Sequence, residues 1–203
     1  MAKSGLLYNR RKALAVRISH ILGLVALSLS IAPGAFAAMS VIGTSESVKC
    51  FETADAGIPD PRPCDRALAE EDLLVRDRVA TLVNRGIIYN LASKYDRAIA
   101  DFEAALAIDV STAEAYLNRG NSRFYQGRLN DAVTDYSRAI DLKIDRLAIA
   151  HYDRAIAFAS LGKFAEAKAD LEAALAIDPD FQLASEKLAS VNHILETPPR
   201  TAG

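Results

Sequence analysis

The sequence predicts an all-α fold. Ala and Leu, which favour helices, are abundant, and Val and Ile are not concentrated in the alternating runs typical of strands. Few of the 10 Gly and 7 Pro residues interrupt the long segments of helical periodicity. The 203 residues are enough for one ordinary domain.

A repeat with a period of 34 residues predicts how the helices are arranged. Three segments align without internal gaps: LVNRGIIYNLASKYDRAIADFEAALAID from Leu82, YLNRGNSRFYQGRLNDAVTDYSRAIDLK from Tyr116 and HYDRAIAFASLGKFAEAKADLEAALAID from His151. The first two start 34 residues apart and the third starts 35 later, with the extra residue in the turn near residues 143–147. This recurrence predicts three copies of one two-helix unit.

Small and large side chains recur at the same places in each copy. The first helix of each copy begins near a candidate N-cap residue and carries one small residue. A break in the helix follows. The second helix then carries a small, a large and another small residue. Small residues let antiparallel helices approach closely, and large ones fill the space beside them. The positions are, in copy order, Asp77, Thr112 and Asp145 (caps); Gly86, Gly120 and Ala155; Ser93, Gly127 and Gly162 (breaks); Ala98, Ala132 and Ala167; Phe102, Tyr136 and Leu171; Ala105, Ala139 and Ala174.

The pattern resembles the tetratricopeptide repeat (TPR) over residues 79–179. It departs from the family in two ways: Arg85, Arg119 and Arg154 stand where Leu is usual, and the closing Pro is present only as Pro179. The resemblance implies a right-handed superhelical stack of three TPR hairpins, because a single hairpin cannot cover its own apolar face. The predicted units are 79–112, 113–147 and 148–181.

Further helices are predicted at both ends of the stack. A lead helix over 66–78, capped by Asp65, follows an N-terminal extension over 38–65, and a capping helix spans 182–196. Leu183, Leu188, Val191 and Leu195 are expected on the inner side of the capping helix. The tail 197–203 is predicted to be disordered.

Residues 1–37 have the order of a secretory signal peptide. A basic stretch over 1–17 precedes an apolar run over 18–32, and Ala35-Phe36-Ala37 offers a cleavage site. The sequence therefore predicts a small exported bacterial-type TPR protein, periplasmic or secreted. The alternative is that the signal segment stays uncleaved and anchors the protein in a membrane, which is the one predicted contact with a membrane. The apolar run over 18–32 is, however, shorter than the ~20 residues that span a bilayer.

Cys50 and Cys64 are the two cysteines of the chain. In an exported protein they are predicted to form a disulfide, which closes a loop of about 15 residues worth ~3 kcal/mol. The alternative is a pair of free thiols. Two cysteines without a nearby histidine cluster make a poor zinc site, and no metal or cofactor is predicted.

The resemblance places a partner in the concave surface lined by the first helix of each hairpin. Residues three or four apart on those helices share a face, and the predicted groove residues are Asn84, Ile87, Asn118, Asn121, Tyr125, Tyr152 and Asp153. Asn84 and Asn118 are suited to hold a partner backbone or to hydrogen-bond within the repeat, and the sequence leaves both open. Of the Lys, Arg and Asn residues with which some TPR proteins grip a terminal carboxylate, Asn118 alone is matched. An extended or helical apolar segment is therefore the expected ligand.

Three arginines recur with three aspartates sixteen residues later. In a helical hairpin these positions face each other, which predicts an Arg–Asp pair between the two helices of each unit. Solvated surface charge, worth little, is the alternative. The pairs are Arg85 with Asp101, Arg119 with Asp135 and Arg154 with Asp170.

Composition and motifs disfavour other function classes. Removal of the five cations in residues 1–37 leaves 19 basic against 26 acidic residues, a net charge of −7, which is unsuited to nucleic acid. No hydrolase, zinc-protease or phosphate-loop motif is present, so no enzyme is predicted, and His151 is expected to pack at an aromatic position. A protein-protein adaptor or scaffold in the cell envelope is the predicted function. Self-assembly by stacking, or glycan and peptidoglycan binding, are the alternatives.

Overall fold

The structure is a computed structural model that describes residues 38–40, 45–70 and 72–197. The predicted signal peptide, 1–37, and residues 198–203 of the tail lie outside the described residues. The described part contains nine α-helices and no strand, which confirms the all-α prediction. The helices are α1 Ser45–Asp55, α2 Arg62–Glu70, α3 Val75–Leu91, α4 Tyr95–Ile108, α5 Ala113–Tyr125, α6 Leu129–Asp141, α7 Leu147–Ser160, α8 Phe164–Ile177 and α9 Gln182–Glu196.

Three antiparallel hairpins form the body of the molecule: α3–α4, α5–α6 and α7–α8. Each hairpin packs on the next through its second helix, and the first helices α3, α5 and α7 also contact each other in order. Helices α1 and α2 pack against α3 at one end of the stack, and α9 packs against α8 at the other. The buried apolar residues form two clusters, one mainly of α1, α2 and the first hairpin and one of the second and third hairpins with α9, so the stack is covered at both ends.

Helix pairing depends on the small-and-large pattern predicted from sequence. A Cβ atom built at Gly86 would lie 2.5 Å from Phe102 Cε1, and one at Gly120 would lie 2.6 Å from Tyr136 Cε1. Phe102 and Tyr136 are completely buried. Each ring thus occupies the space that the missing side chain of the facing glycine leaves open, which confirms the nested packing.

The residues at the breaks between paired helices have a left-handed backbone conformation. Ser93, Gly127 and Gly162 have φ values of 56°, 76° and 74°. In each case the next amide donates to a carbonyl five residues back, as in Lys94 N to Tyr89 O at 2.8 Å, which closes the last helical turn. The predicted breaks are confirmed.

The start of the stack differs from the prediction. The lead helix expected over 66–78 is α2, Arg62–Glu70, and it ends before α3 begins at Val75. Proline is tolerated in the first turn of a helix, so Pro63 lies inside α2, and Asp60 Oδ1 accepts a hydrogen bond from Arg62 N at the helix start. Asp65 is therefore not a cap. The extension 38–65 also contains α1, which was not predicted.

The other helix starts are also less regular than predicted. Thr112 is the N-cap residue of α5, but Asp77 lies inside the first turn of α3, and α7 begins after Arg146 rather than Asp145. The helix predicted over 182–196 is α9, Gln182–Glu196. Its inner side carries Ala184 and Val191, whereas Leu183 and Leu195 are exposed. The inner face of this last helix was therefore wrongly predicted in part: Leu188 and Val191 contact the core as expected, and Leu183 and Leu195 are exposed.

The three predicted Arg–Asp pairs are all present. Each arginine holds its aspartate through two nitrogens, as in Arg85 Nε and Nη2 to Asp101 at 2.8 and 2.7 Å. The corresponding distances are 3.0 and 2.7 Å for Arg119 with Asp135, and 2.7 and 2.7 Å for Arg154 with Asp170. The aspartates are buried, so these pairs lock the two helices of each hairpin together.

His151 belongs to the third of these pairs. Its Nδ1 lies 2.8 Å from Asp170 Oδ1, and little of the side chain is exposed. His151 is thus largely buried, as expected of a packing residue at this position, and it also makes a polar contact with the second helix of the hairpin, which was not predicted.

The two cysteines are joined in a disulfide, as predicted. Cys50 of α1 and Cys64 of α2 are completely buried, and their Cα atoms lie 4.7 Å apart. The bond fastens α1 to α2, and the sulfur of Cys50 faces the carbonyl of Thr81 in α3. It thereby holds the two end helices as one cover on the first hairpin.

Candidate peptide-binding groove

The groove is the surface formed by α3, α5 and α7, the first helices of the three hairpins. At its first-repeat end, Asn84 of α3 binds the backbone of Met39. Asn84 Nδ2 donates to Met39 O at 2.7 Å, and Met39 N donates to Asn84 Oδ1 at 2.8 Å. Both polar groups of the amide thus bond to one residue of the segment Ala38–Ser40, which has no regular secondary structure and lies 45 residues earlier in the chain.

Met39 lies between two clefts on this surface. One, of about 440 Å³, is lined by Met39 with Val75 and Val79 of α3 and Thr112 and Glu114 of α5, among others. The second, of about 300 Å³, is lined by Ala38, Met39 and Ser40 with Arg76, Glu114 and Asp145. Met39 is half-buried and packs against the core of the first repeat. Met39 therefore forms part of the wall of both clefts.

The two asparagines of the second repeat bind within the stack. Asn118 Nδ2 donates to Glu114 O of its own helix at 2.8 Å, and its backbone carbonyl accepts from Asn90 Nδ2 of α3 at 3.2 Å. Asn121 Oδ1 accepts from the hydroxyl of Tyr136 in α6 at 2.8 Å. Asn118 thus bonds to its own helix, and Asn84 bonds to the backbone of Met39 in the same chain; the binding of a partner's backbone by Asn84 stays a prediction.

Three predicted groove residues have other surroundings than expected. Ile87 is completely buried in the core of the first repeat. Tyr152 is 4% exposed because its ring packs against Phe181, with 5.1 Å between centroids. Tyr125 is 41% exposed and stacks on Tyr95 at 5.4 Å. Ile87 and Tyr152 are therefore structural, and Tyr125 remains as an accessible ring at the end of α5.

Asp153 of α7 has the most unusual electrostatic environment in the groove. It is completely buried, and neither carboxylate oxygen has a hydrogen-bond partner among the described residues. Burial raises the pKa of this carboxyl from 3.8 to about 8, because the charged form loses its hydration without gaining a partner. Asp153 aligns with Asn84 and Asn118 in the repeat, so the same position is uncharged in the first two copies and acidic in the third.

The segment Ala38–Ser40 was not predicted as part of the site. Three residues show no periodicity, and their contact with Asn84 spans 45 positions, so no local pattern indicates it. The described residues contain no cluster of three or more His, Cys, Asp or Glu that could hold a metal ion. Within the same ranges no helix has the length and apolar character needed to cross a bilayer.

Sequence comparison connects this architecture to a family. A sequence model of the tetratricopeptide repeat matches residues 92–146, 117–181 and 152–199, which together extend over more than half of the chain. The chain belongs to the tetratricopeptide-repeat family. Together the matches include helices α4 to α9.

Two curated TPR relatives are similar over part of their length. The protein STIP1 homolog of Dictyostelium discoideum is 32% identical over 110 residues, which are 54% of this chain and 19% of that protein. The DnaJ homolog subfamily C member 7 homolog of Schizosaccharomyces pombe is 30% identical over 133 residues, 58% of this chain and 28% of that protein. The chain thus spans less than a third of either relative.

Solved TPR structures match the fold. The first TPR of Spaghetti (RPAP3), bound to the HSP90 peptide SRMEEVD, has a TM-score of 0.57 and 26% identity and covers 59% of this chain and 94% of that one. The second TPR domain of human RPAP3, in complex with the HSP70 peptide SGPTIEEVD, has a TM-score of 0.55 and 27% identity over 59% and 98%. The crystal structure of MamA has a TM-score of 0.63 and covers 75% and 85%, and at 23% identity it shows the fold alone.

Proposed function

We propose that this protein is a non-enzymatic adaptor that holds an extended segment of another polypeptide in the groove formed by α3, α5 and α7. The TPR family is a protein-interaction fold. Two of its similar structures contain a peptide of another protein. These findings support a peptide ligand, and the residues of the groove indicate which kind.

The contact between Asn84 and Met39 carries this proposal. It pairs one side-chain donor and one acceptor with the acceptor and donor of a single backbone residue. Backbone groups are the same in every residue except proline, so this contact selects an extended chain rather than a side chain. Specificity then depends on what the flanking clefts accept.

Acidic C-terminal peptides are poor candidates for this groove. The peptides in the two RPAP3 structures end in EEVD. Here Val83 and Ile87 are completely buried and uncharged, so neither position offers a cation to a terminal carboxylate. The proposed ligand is therefore an internal, uncharged segment.

The two alternatives are less well supported by the contacts. End-to-end stacking requires free terminal hairpins, but α1 and α2 cover the first hairpin and α9 covers the third. Glycan binding requires several accessible aromatic rings, but Tyr152 is buried, which leaves Tyr125, stacked on Tyr95, as the accessible ring of the two. Neither alternative has a contact comparable to that of Asn84.

We also propose that the adaptor acts in the cell envelope or outside the cell. The basic, apolar and small-residue order of residues 1–37 supports export, and so does a buried disulfide, which persists in an oxidising compartment. Fractionation of the source cells tests this: the mature protein should start at Ala38 and be found outside the cytoplasm. Recovery of the unprocessed chain in the cytoplasm would contradict export.

Peptide display on the immobilised protein tests the binding function. Peptides enriched on the wild type should lose at least tenfold in affinity for Asn84→Ala and keep their affinity for Lys168→Ala, whose side chain is exposed on α8, outside the groove. Circular dichroism confirms that both variants are folded. Enriched peptides that bind Asn84→Ala as well as wild type, or the absence of any enriched peptide, would refute the proposal.

A further inference from the structure

We infer that the first-repeat end of the groove is a subsite that binds a peptide backbone, and that the protein fills this subsite with its own residues 38–40. A partner therefore binds there by displacing this segment. The inference rests on the proposed function, since it names how the same groove is regulated. It arises from a contact that no pattern in the sequence indicates.

The geometry of the segment is that of a bound peptide rather than of an added structural element. Ala38–Ser40 has no regular secondary structure, and its two hydrogen bonds to Asn84 are both made by backbone atoms of Met39. Ala38 and Met39 are half-buried, and Ser40 is exposed. The contact is therefore short and sequence-tolerant.

The surroundings indicate that the segment is replaceable. The clefts on either side of Met39 are open and contain both apolar residues, such as Val75 and Val79, and charged ones, such as Arg76 and Glu114. A longer extended peptide can form the same pair of hydrogen bonds with Asn84 and fill these clefts as well. A partner with an apolar residue in the place of Met39 has the right chemistry.

Occupation by the chain itself weakens the apparent affinity for a partner. The apparent dissociation constant equals the intrinsic one divided by the fraction of molecules whose subsite is open. Each of the two hydrogen bonds is worth about fivefold in this equilibrium. A variant that opens the subsite without changing Asn84 should therefore bind more tightly than the wild type.

Met39→Pro is that variant, because proline has no N–H to donate to Asn84 Oδ1. Met39→Leu is the matched control, since it keeps the N–H and a similar side chain. The probe is a synthetic peptide with the sequence of residues 38–44. The full-length Met39→Pro protein should bind it about 5–10-fold more tightly than wild type and Met39→Leu, and Asn84→Ala added to Met39→Pro should abolish the gain. Equal affinities for all variants would overturn the inference.

The methyl group of Met39 gives a second readout that does not depend on a partner. Met1 and Met39 are the two methionines of the chain. In a protein labelled with methyl-¹³C methionine, the NMR signal that is lost in Met39→Leu is therefore that of Met39. In wild type its chemical shift should differ from that of the free peptide, and in Asn84→Ala it should move to the free-peptide position. A wild-type shift equal to that of the free peptide would show that the segment is not docked.

The two experiments distinguish failure of this inference from failure of the proposed function. If the Met39 signal shows docking and no displayed peptide binds any variant, the segment is docked but the adaptor function is wrong. If displayed peptides bind wild type and Met39→Pro equally, the adaptor function stands and the self-occupied subsite is wrong.

Discussion

Substitution of Gly86 by alanine tests the close approach of paired helices. The added Cβ would lie 2.5, 2.7 and 2.9 Å from three atoms of the Phe102 ring, whereas carbon atoms in contact normally lie about 3.5–4.0 Å apart. The ring or the helix must therefore move by about 1 Å. Overpacking of this kind costs about 1–3 kcal/mol, and the better helix propensity of alanine returns about 1 kcal/mol.

The third repeat indicates how the clash can be relieved. It has Ala155 where the first repeat has Gly86, and Leu171 where the first has Phe102. In a Phe102→Leu background, Gly86→Ala should therefore change from destabilising to stabilising by about 0.5–1 kcal/mol. The expected coupling between the two substitutions is about 2 kcal/mol.

Urea unfolding of the four proteins, followed by circular dichroism, measures this coupling. Gly127→Ala is the control: nothing lies within 4 Å of its Cβ position, and its φ of 76° makes alanine costly through the backbone alone. Its effect should be the same with Phe102 or Leu at position 102. Additive effects of Gly86→Ala and Phe102→Leu, within about 0.5 kcal/mol, would refute the nested packing of the first hairpin.

Three further perturbations test separate parts of the structure by urea unfolding. Asp153→Asn should raise the free energy of unfolding by up to about 4 kcal/mol at pH 7 and by little at pH 4. The folded carboxyl, with a pKa raised to about 8, keeps a proton that the unfolded chain has lost, so the stability of the wild type falls by about 1.4 kcal/mol per pH unit between pH 4 and pH 8. Equal pH slopes for the wild type and Asp153→Asn would contradict this. Reduction of the Cys50–Cys64 disulfide should lower the free energy of unfolding by about 3 kcal/mol, and no change would show that the end cover does not contribute. Arg85→Ala should cost about 3 kcal/mol because it leaves the buried Asp101 without its cation, whereas Arg128→Ala, from an exposed ion pair, should cost less than about 1 kcal/mol; equal costs would contradict the difference.

The hairpins could be predicted from sequence because their determinants are local and repeated. A small residue opposite a large one, and arginine sixteen residues before aspartate, recur in register in all three copies, so each copy supports the assignment of the others. The end helices lack this redundancy. Asp65 was interpreted as a cap although Pro63 is compatible with an earlier start, and α1 has no repeat to identify it.

The groove could be predicted only in part. Helical spacing identifies residues that share a face, but it does not determine whether that face meets solvent or the neighbouring helix. Ile87 and Tyr152 are buried by α3–α4 packing and by Phe181 of the C-terminal cover, contacts that depend on the tertiary arrangement. Asn84 binds the backbone of a segment distant in the same chain, a contact that helical spacing does not indicate.

A crystal structure of the protein with a display-selected peptide tests the central claim most directly. The account predicts that a backbone N–H and C=O of the peptide lie about 2.7–3.1 Å from Asn84 Oδ1 and Nδ2, and that Met39 has left that position. A peptide bound to α4, α6 or α8, or one seated in the groove while Met39 stays on Asn84, would contradict it.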